Sequence, residues 1–239
     1  MIQSLNLLPF TLDGNFAHIA IPARRYDDGQ WEIMYVADIR TEGYTQTARR
    51  FQRIDNAMED DEVVRPLHEK INERNKLEIQ IFQPDEYLVL NGAGGGVACA
   101  ACLSLAEYRD IVVDQTLYWT LVRTEKEAWY RVGLINTDAL TQATREFNPE
   151  GELGPRHLHT LPNRVIPSFD ASNMDHIEIA NLAEQLSVIA QPLIADDQKI
   201  SDPSRPISVR RRRLRKILKE LLEYSALEDV SAFVLGITV

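Results

Sequence analysis

Only two cysteines occur in the 239 residues, too few for the disulfide framework of a small secreted domain, and this fits a reducing compartment. No apolar run approaches the roughly 18 residues a membrane helix needs, so no bilayer-spanning segment is expected. Met1, Ile2, Gln3 and Ser4 lack the basic-then-apolar layout of a secretory signal, and the expected location is cytoplasmic. Gly-x-Ser-x-Gly and His-Glu-x-x-His are both absent, so neither a nucleophile elbow nor a zinc-hydrolase helix is written here. Glycine and proline number 11 each, too few for a disordered or fibrous chain, and a hydrophobic share of 44% is enough for a real core. No internal repeat or low-complexity tract is present.

Charge is unevenly placed. The chain carries 26 Lys+Arg against 36 Asp+Glu, a net of −10. Residues 201–219 alone hold eight basic side chains (Arg205, Arg210, Arg211, Arg212, Arg213, Arg215, Lys216, Lys219) against one acid, Asp202. Their local net is +7, which leaves −17 for the remainder. A surface that acidic repels a polyanion, so any nucleic-acid contact must be local or shared with a more basic partner.

Periodicity predicts an α+β fold: a mixed β-sheet with packed helices over the N-terminal two-thirds, followed by a helical C-terminal segment. Residues 15–21 alternate up to Pro22, and 31–37 follow a turn of Asp27, Asp28 and Gly29, which predicts a hairpin. Residues 45–75 are polar and glycine-free, suiting surface helix around a stop at Pro66. Strands are expected at 87–90, 97–105 and 111–122. Thr124 and Glu127 form a capping-box pattern ahead of a helix, and 139–147 reads as another. Residues 148–170, with Pro149, Pro155, Pro162 and Pro167, read as an ordered loop. A helix over 173–190 carries Ile177, Ile179, Ala180, Leu182, Ala183 and Leu186, and 196–208 reads as a linker. A last helix over 208–230 places Leu214, Ile217, Leu218, Leu221 and Leu222 at helical spacing, an amphipathic stripe. The division expected is residues 1–195 as one domain and 196–239 as linker and basic amphipathic helix.

Several motifs carry less chemistry than their letters promise. Residues 91–96, Asn-Gly-Ala-Gly-Gly-Gly, lack the Lys-Ser/Thr and the following helix of a phosphate loop and read as a turn between strands. Cys99 and Cys102 have metal spacing, yet positions i and i+3 of a strand face opposite ways, and no second pair exists. They read as small core residues. His157 and His159 share one side of an extended segment; Glu152 and His176 are the candidate further ligands, and a polar loop is the simpler reading. Asp60, Asp61 and Glu62 read as solvated surface. No metal or cofactor is therefore expected. Arg210, Arg211, Arg212 and Arg213 spread around a helix rather than forming one stripe, which suits either a solvated helix start or phosphate contact.

An ordered series of segments resembles a known family. It begins with Asn75, Lys76, Leu77 and Gln80, then Tyr-Leu-Val-Leu-Asn-Gly-Ala-Gly at 87–94 and Ile-Val-Val-Asp-Gln-Thr-Leu-Tyr-Trp at 111–119. It continues with Glu-Ala-Trp-Tyr-Arg-Val-Gly-Leu-Ile-Asn at 127–136 and Gly-Pro-Arg-His-Leu-His at 154–159. Leu161, Pro162, Ile-Pro-Ser-Phe-Asp at 166–170, Asn173 and His176 complete it. This resembles the target-recognition region that follows the catalytic domain in adenine-specific DNA methyltransferases of type IIG restriction–modification and related phage-defence systems. The family pattern runs approximately G-E-R-H-I-H, a proline, then I-P-x-F-D-x-x-N-x-x-H, and Pro155 stands where Glu is common. The matches cover about residues 70–185.

The resemblance implies a region that positions DNA rather than transfers methyl. Such enzymes also need a glycine-rich loop for S-adenosylmethionine and Asn/Asp-Pro-Pro-Tyr/Phe to hold the flipped base. No two prolines are adjacent here, so the chain is not a complete methyltransferase. The expectation is a non-catalytic, specificity-like subunit or fragment, working with a catalytic methyltransferase subunit on double-stranded DNA. Candidate DNA contacts are Arg156, His157, His159 and Arg164 in the proline-rich loop, Gly94, Gly95 and Gly96 in the turn, and Arg210, Arg211, Arg212 and Arg213. Leu214, Ile217, Leu218 and Leu221 are the candidate docking stripe for the catalytic partner. The alternatives are a protein-interaction scaffold of a defence complex without DNA contact, or an enzyme with an unrecognised metal site at His157 and His159.

Overall fold

A computed structural model describes residues 1–58, 66–92, 97–108, 110–145 and 164–237, with Met58 and Arg145 by backbone alone. It is an α+β protein, 50% helix and 14% strand. The chain divides into two units, Met1–Ala17 with Pro84–Val239, and His18–Gln83. The boundary expected at 195/196 is not where it divides, because residues 196–237 are packed into the larger unit.

The larger unit opens with a tight hairpin, β1 (Leu7–Leu8) and β2 (Thr11–Leu12). Its turn holds Phe10 at φ 64, a left-handed conformation that costs a bulky residue and here sinks the ring to 1% exposure. The Phe10 ring meets Tyr224 edge-on, with centroids 6.2 Å apart. Smaller unit strands come next in the chain: β3 (Ala23–Arg25) and β4 (Trp31–Ile33). Back in the larger unit, β5 (Tyr87–Gly92) is the centre of a three-stranded antiparallel sheet, flanked by β6 (Ala100–Ser104) and β7 (Leu117–Val122). Leu88, Val89, Leu90 and Asn91 are all buried, which is why this strand reads as continuous rather than alternating. Every ladder is antiparallel; the parallel pairing among the described residues is the isolated Ile2–Val113 bridge.

Within the larger unit the helix Glu125–Asn136 packs on this sheet. In the smaller unit lie α1 (Val36–Thr41), α2 (Thr45–Met58) and α3 (Leu67–Ile71); in the larger, α4 (Glu125–Asn136) and α5 (Asp138–Arg145). The long α6 (Met174–Asp196) is followed by α7 (Gln198–Ser201), α8 (Ile207–Leu218) and α9 (Leu222–Val234). Thr124 caps α4 as expected, its side chain accepting from the Glu127 N–H at 3.2 Å. At its far end Asn136, 1% exposed, donates to the Ala100 carbonyl at 2.8 Å and accepts from the Ala100 N–H at 3.1 Å. One amide thus satisfies the Ala100 N–H, which would otherwise be orphaned in the interior, and shares the Ala100 carbonyl with the Phe10 N–H, which donates to it at 3.0 Å. Gly133 lets α4 approach α6 closely: a Cβ there would stand 2.8 Å from Ile179 Cγ2 and 3.2 Å from Ala183 Cβ.

The Ile-Pro-Ser-Phe-Asp…Asn…His pattern is an anchor. Pro167 accepts from the Tyr130 hydroxyl at 3.2 Å, and the Asp170 N–H donates to His176 Nδ1 at 3.0 Å. Asn173 caps α6 through the Asp175 N–H at 2.9 Å. The Tyr130, Phe169 and His176 rings pack on one another, with His176 4.6 Å from Tyr130. Burial pushes the Tyr130 phenol up to about 12, so it stays a neutral donor.

Two expectations are corrected here. Residues 15–21 form no strand; the hairpin turn at Asp27–Gly29 stands, but it joins β3 and β4 on the far side of Pro22. The single helix over 208–230 is two, with Leu221 extended between them at φ −91, ψ 147. No glycine or proline marks that break. A straight helix would carry the stripe of Leu214 and Leu218 on to Ser225 and Asp229; the break buries Tyr224 and Leu227 instead.

The smaller unit is built on a separate apolar cluster of Ile39, Ala48 and Phe51, joined by Met34, Val36 and Leu67. Residues 36–41, partly read as strand, are α1. The link to α2 is a Schellman turn: the Gly43 N–H donates to Arg40 O at 3.0 Å and the Tyr44 N–H to Ile39 O at 3.1 Å. Gly43 sits at φ +91, the left-handed conformation this cap requires.

Candidate functional site

The arginine run of α8 separates into distinct roles because successive helical residues point about 100° apart. Arg210 points inward and is 3% exposed. Its Nε donates to Ile200 O at 2.6 Å, Nη1 to Leu5 O at 3.4 Å and Nη2 to Asp13 Oδ2 at 2.5 Å. Arg211 Nε donates to Leu7 O at 2.9 Å and its Nη2 to Ser4 O at 2.8 Å, so it clamps the first hairpin. Arg213 turns the other way onto Asp197, with Nε and Nη2 both 2.8 Å from Oδ2. Arg215 Nη2 donates to Ala98 O at 2.6 Å, while its Nε is buried without a hydrogen-bond partner. Lys219 is paired with Asp138. Arg212 and Lys216 differ from all of these: both are exposed and neither makes a hydrogen bond or ion pair with another described residue.

Arg211, Arg212, Arg215, Lys216 and Lys219 line a cleft of about 740 Å³, with Glu220 the one acid among its described lining residues. Val97, 43% exposed, and Ser208 complete the described lining. Arg212 and Lys216 lie one turn apart, about 6 Å along the helix axis. Arg211 and Arg215 beside them are held by backbone carbonyls, and Lys219 by the Asp138 carboxylate, so these three cations are fixed in place. Such an arrangement binds anions: phosphate esters or the backbone of a nucleic acid.

Of the expected residues, some line this cleft and others lie elsewhere. Arg212 faces the cleft freely, and Arg211 reaches it with its guanidinium already committed. Arg210 is a buried structural ion-pair partner with no vacant donor face, so it is not a phosphate ligand; Arg213 is half-exposed but turned onto Asp197 rather than lining the cleft. The docking stripe is spent internally: Leu214 and Leu218 are 0% exposed in the chain's own core, and Ile217 and Leu221 pack against it. Leu222 departs from the stripe and is 87% exposed. Arg164 is exposed, without a described partner. Gly94, Gly95, Gly96, Arg156, His157 and His159 lie outside the described residues, although Val97, the next residue after that glycine turn, is in the cleft wall.

The two cysteines point to opposite sides, as their spacing requires. Burial raises the Cys99 thiol, opposed by Arg211 and Arg215; burial also raises Cys102, reinforced by Glu125 and Glu184. Cys99, just ahead of β6, therefore senses the basic helix, and Cys102 within it the acidic flank of α4 and α6. Among the described residues no three His, Cys, Asp or Glu side chains come together as a metal site. No described helix is long and apolar enough to cross a membrane.

Sequence reasoning missed a second hollow, within the smaller unit. It measures about 610 Å³ and is lined by Tyr35, His68, Glu69, Asn72, Arg74 and Glu78, among others. Asn72 Oδ1 accepts from the Leu77 and Glu78 N–H groups at 3.2 Å each, closing a turn in which Arg74 and Asn75 both take φ 59. Its acids outnumber its bases, so it offers no counterpart to the anion cleft.

No protein-family model matches the chain, and no curated protein matches it.

Proposed function

We propose that the chain is a non-catalytic DNA target-recognition, specificity-like subunit or fragment of an adenine DNA methyltransferase system of the restriction–modification or phage-defence kind. The observation that carries this reading is the pair of uncommitted cations, Arg212 and Lys216, in a cleft with three further basic side chains on a chain of net charge −10. A local positive cleft on an acidic body holds a phosphate backbone at one place without coating the molecule in DNA. The ordered resemblance through Tyr87, Tyr130, Phe169 and His176 supports the methyltransferase setting. The catalytic subunit supplies S-adenosylmethionine and the base pocket, and most of the remaining positive field.

The test is the salt dependence of duplex binding by the chain, alone and with whatever methyltransferase co-purifies with it. Arg212→Ala with Lys216→Ala removes two phosphate contacts and lowers the slope of log K against log salt by about 2. An unchanged slope removes the cleft from DNA contact and leaves the scaffold reading. Recovery of the chain without a partner carrying Asn/Asp-Pro-Pro-Tyr/Phe counts against the split-enzyme setting.

A further inference from the structure

A different element, in the smaller unit, has the composition of a base reader. The inward face of α2 is Ala48 at 0% and Phe51 at 3% exposure, held against Ile39. Its sole acid, Asp55, also turns inward and accepts from the Leu67 N–H at 2.5 Å, fixing the start of α3. Outside, Gln46, Arg49, Arg50 and Arg53 form a stripe at i, i+3, i+4 and i+7, all exposed, with Ile54 and Ala57 exposed beside them. Gln52 and Asn56 flank this stripe, joined by a 3.0 Å hydrogen bond. None of the three arginines makes an ion pair or hydrogen bond with another described residue. No acid stands three or four residues from any of them, so Arg49 and Arg50 each face Arg53 as like charges.

A merely solvated helix face of an acidic protein interleaves both signs. This one concentrates guanidinium and carboxamide groups and excludes carboxylates, in a chain with ten more acids than bases. Those side chains have a specific match: arginine pairs bidentately with guanine O6 and N7, and glutamine or asparagine with adenine N6 and N7. The major groove, about 12 Å wide, admits one α-helix, and the 14 residues of α2 span about 20 Å. The Schellman turn at Gly43 and the α3 contact through Asp55 hold the helix from both ends, leaving the stripe free of structural duty.

We propose that α2 lies in the major groove of double-stranded DNA, with Gln46, Arg49, Arg50 and Arg53 facing base edges and flanking phosphates. The proposal rests on the DNA-recognition reading above and adds to it the element that reads sequence, where the α8 cleft holds backbone.

The experiment uses the full chain and a labelled random-sequence 30-base-pair duplex at low salt, followed by selection from a randomised duplex pool. Arg49→Ala, Arg50→Ala and Arg53→Ala together are expected to weaken duplex binding at least about tenfold and to flatten its salt dependence. Arg50→Lys and Gln46→Ala keep the fold and most of the affinity but relax the selected sequence by about 5- to 150-fold at one position each. If the triple variant binds like the wild type while Arg212→Ala with Lys216→Ala does not, the α2 proposal is overturned and the cleft reading survives. Wild-type protein that binds no duplex overturns both. Binding to polyglutamate as tightly as to DNA, or selection of no preferred sequence, overturns the groove-reading role in favour of an acidic protein partner or plain charge.

Discussion

The guanidinium of Arg210 and the carboxylate of Asp13 meet 2.5 Å apart, with 4% and 10% of the two side chains exposed. They lie 197 positions apart in the chain, so this pair ties the C-terminal helices to the first hairpin. Removing one partner strands the other in the interior, and Arg210→Ala also frees the Ile200 carbonyl. The expected cost is about 3–5 kcal/mol, read as a lower urea midpoint. A cost near zero would mean that the pair is hydrated and the hairpin held by its apolar contacts alone.

Gly133 sets two effects against each other. Alanine is about 1 kcal/mol better than glycine inside a helix, but the new Cβ would stand 2.8 Å from Ile179 Cγ2 and 3.2 Å from the Ile179 carbonyl. A β-branched methyl and a backbone oxygen cannot swing away, so the clash wins. Gly133→Ala is expected to destabilise by about 1–3 kcal/mol in thermal unfolding, and a raised Tm would refute the close packing of α4 on α6.

Asp197 makes part of the stability acid-sensitive. Burial on its own raises this carboxyl, but hydrogen bonds from Arg213 and the Lys199 N–H outweigh it and hold the group below its ordinary 3.8. A depressed folded value means that the unfolded chain binds the proton more tightly. The contribution is therefore complete above pH 3.8 and is lost as pH falls through the folded value. Asp197→Asn should cost under about 1 kcal/mol at pH 7, because Arg213 is 38% exposed, and the gap from wild type should close below the carboxyl range. A gap that widens in acid would contradict the pairing.

Cys99 and Cys102 should stay thiols. Both are pushed up by burial, and the thiolate is the reactive form. At pH 8 neither is expected to react with a thiol reagent in the native protein within minutes, and both should react after unfolding. Fast titration of two thiols without denaturant would revive a redox role for the Cys-x-x-Cys spacing.

Legibility followed locality. The Asp27–Gly29 turn, the Tyr87 strand, the Thr124 cap and the Asn173 helix start depend on a few neighbouring side chains, and each lies where those side chains put it. The break at Leu221 carries no local mark, because it is set by which residues the distant core accepts. Arg210 and Arg212 look identical in sequence; only the position of Asp13 and the Ile200 carbonyl separates a buried clamp from a free cation. The apolar stripe of α8 was readable as a stripe, but periodicity says that a face is buried and not what covers it.

Residues 18–83 interrupt the sequence of the larger unit, and that order has a consequence for synthesis. Leu7, Leu8 and Phe10 are made first, yet Arg211, which holds the Leu7 carbonyl, and Tyr224, which meets the Phe10 ring, are made near the end. At about 5–20 residues per second the N-terminal hairpin waits about 10–40 s on the ribosome before Arg210 and Arg211 emerge. Residues 18–83 can close around Ile39, Ala48 and Phe51 in that interval. The newborn chain thus carries a finished small unit and an apolar leading end, and premature termination before α8 would leave that end without its Arg211 clamp and its Tyr224 contact.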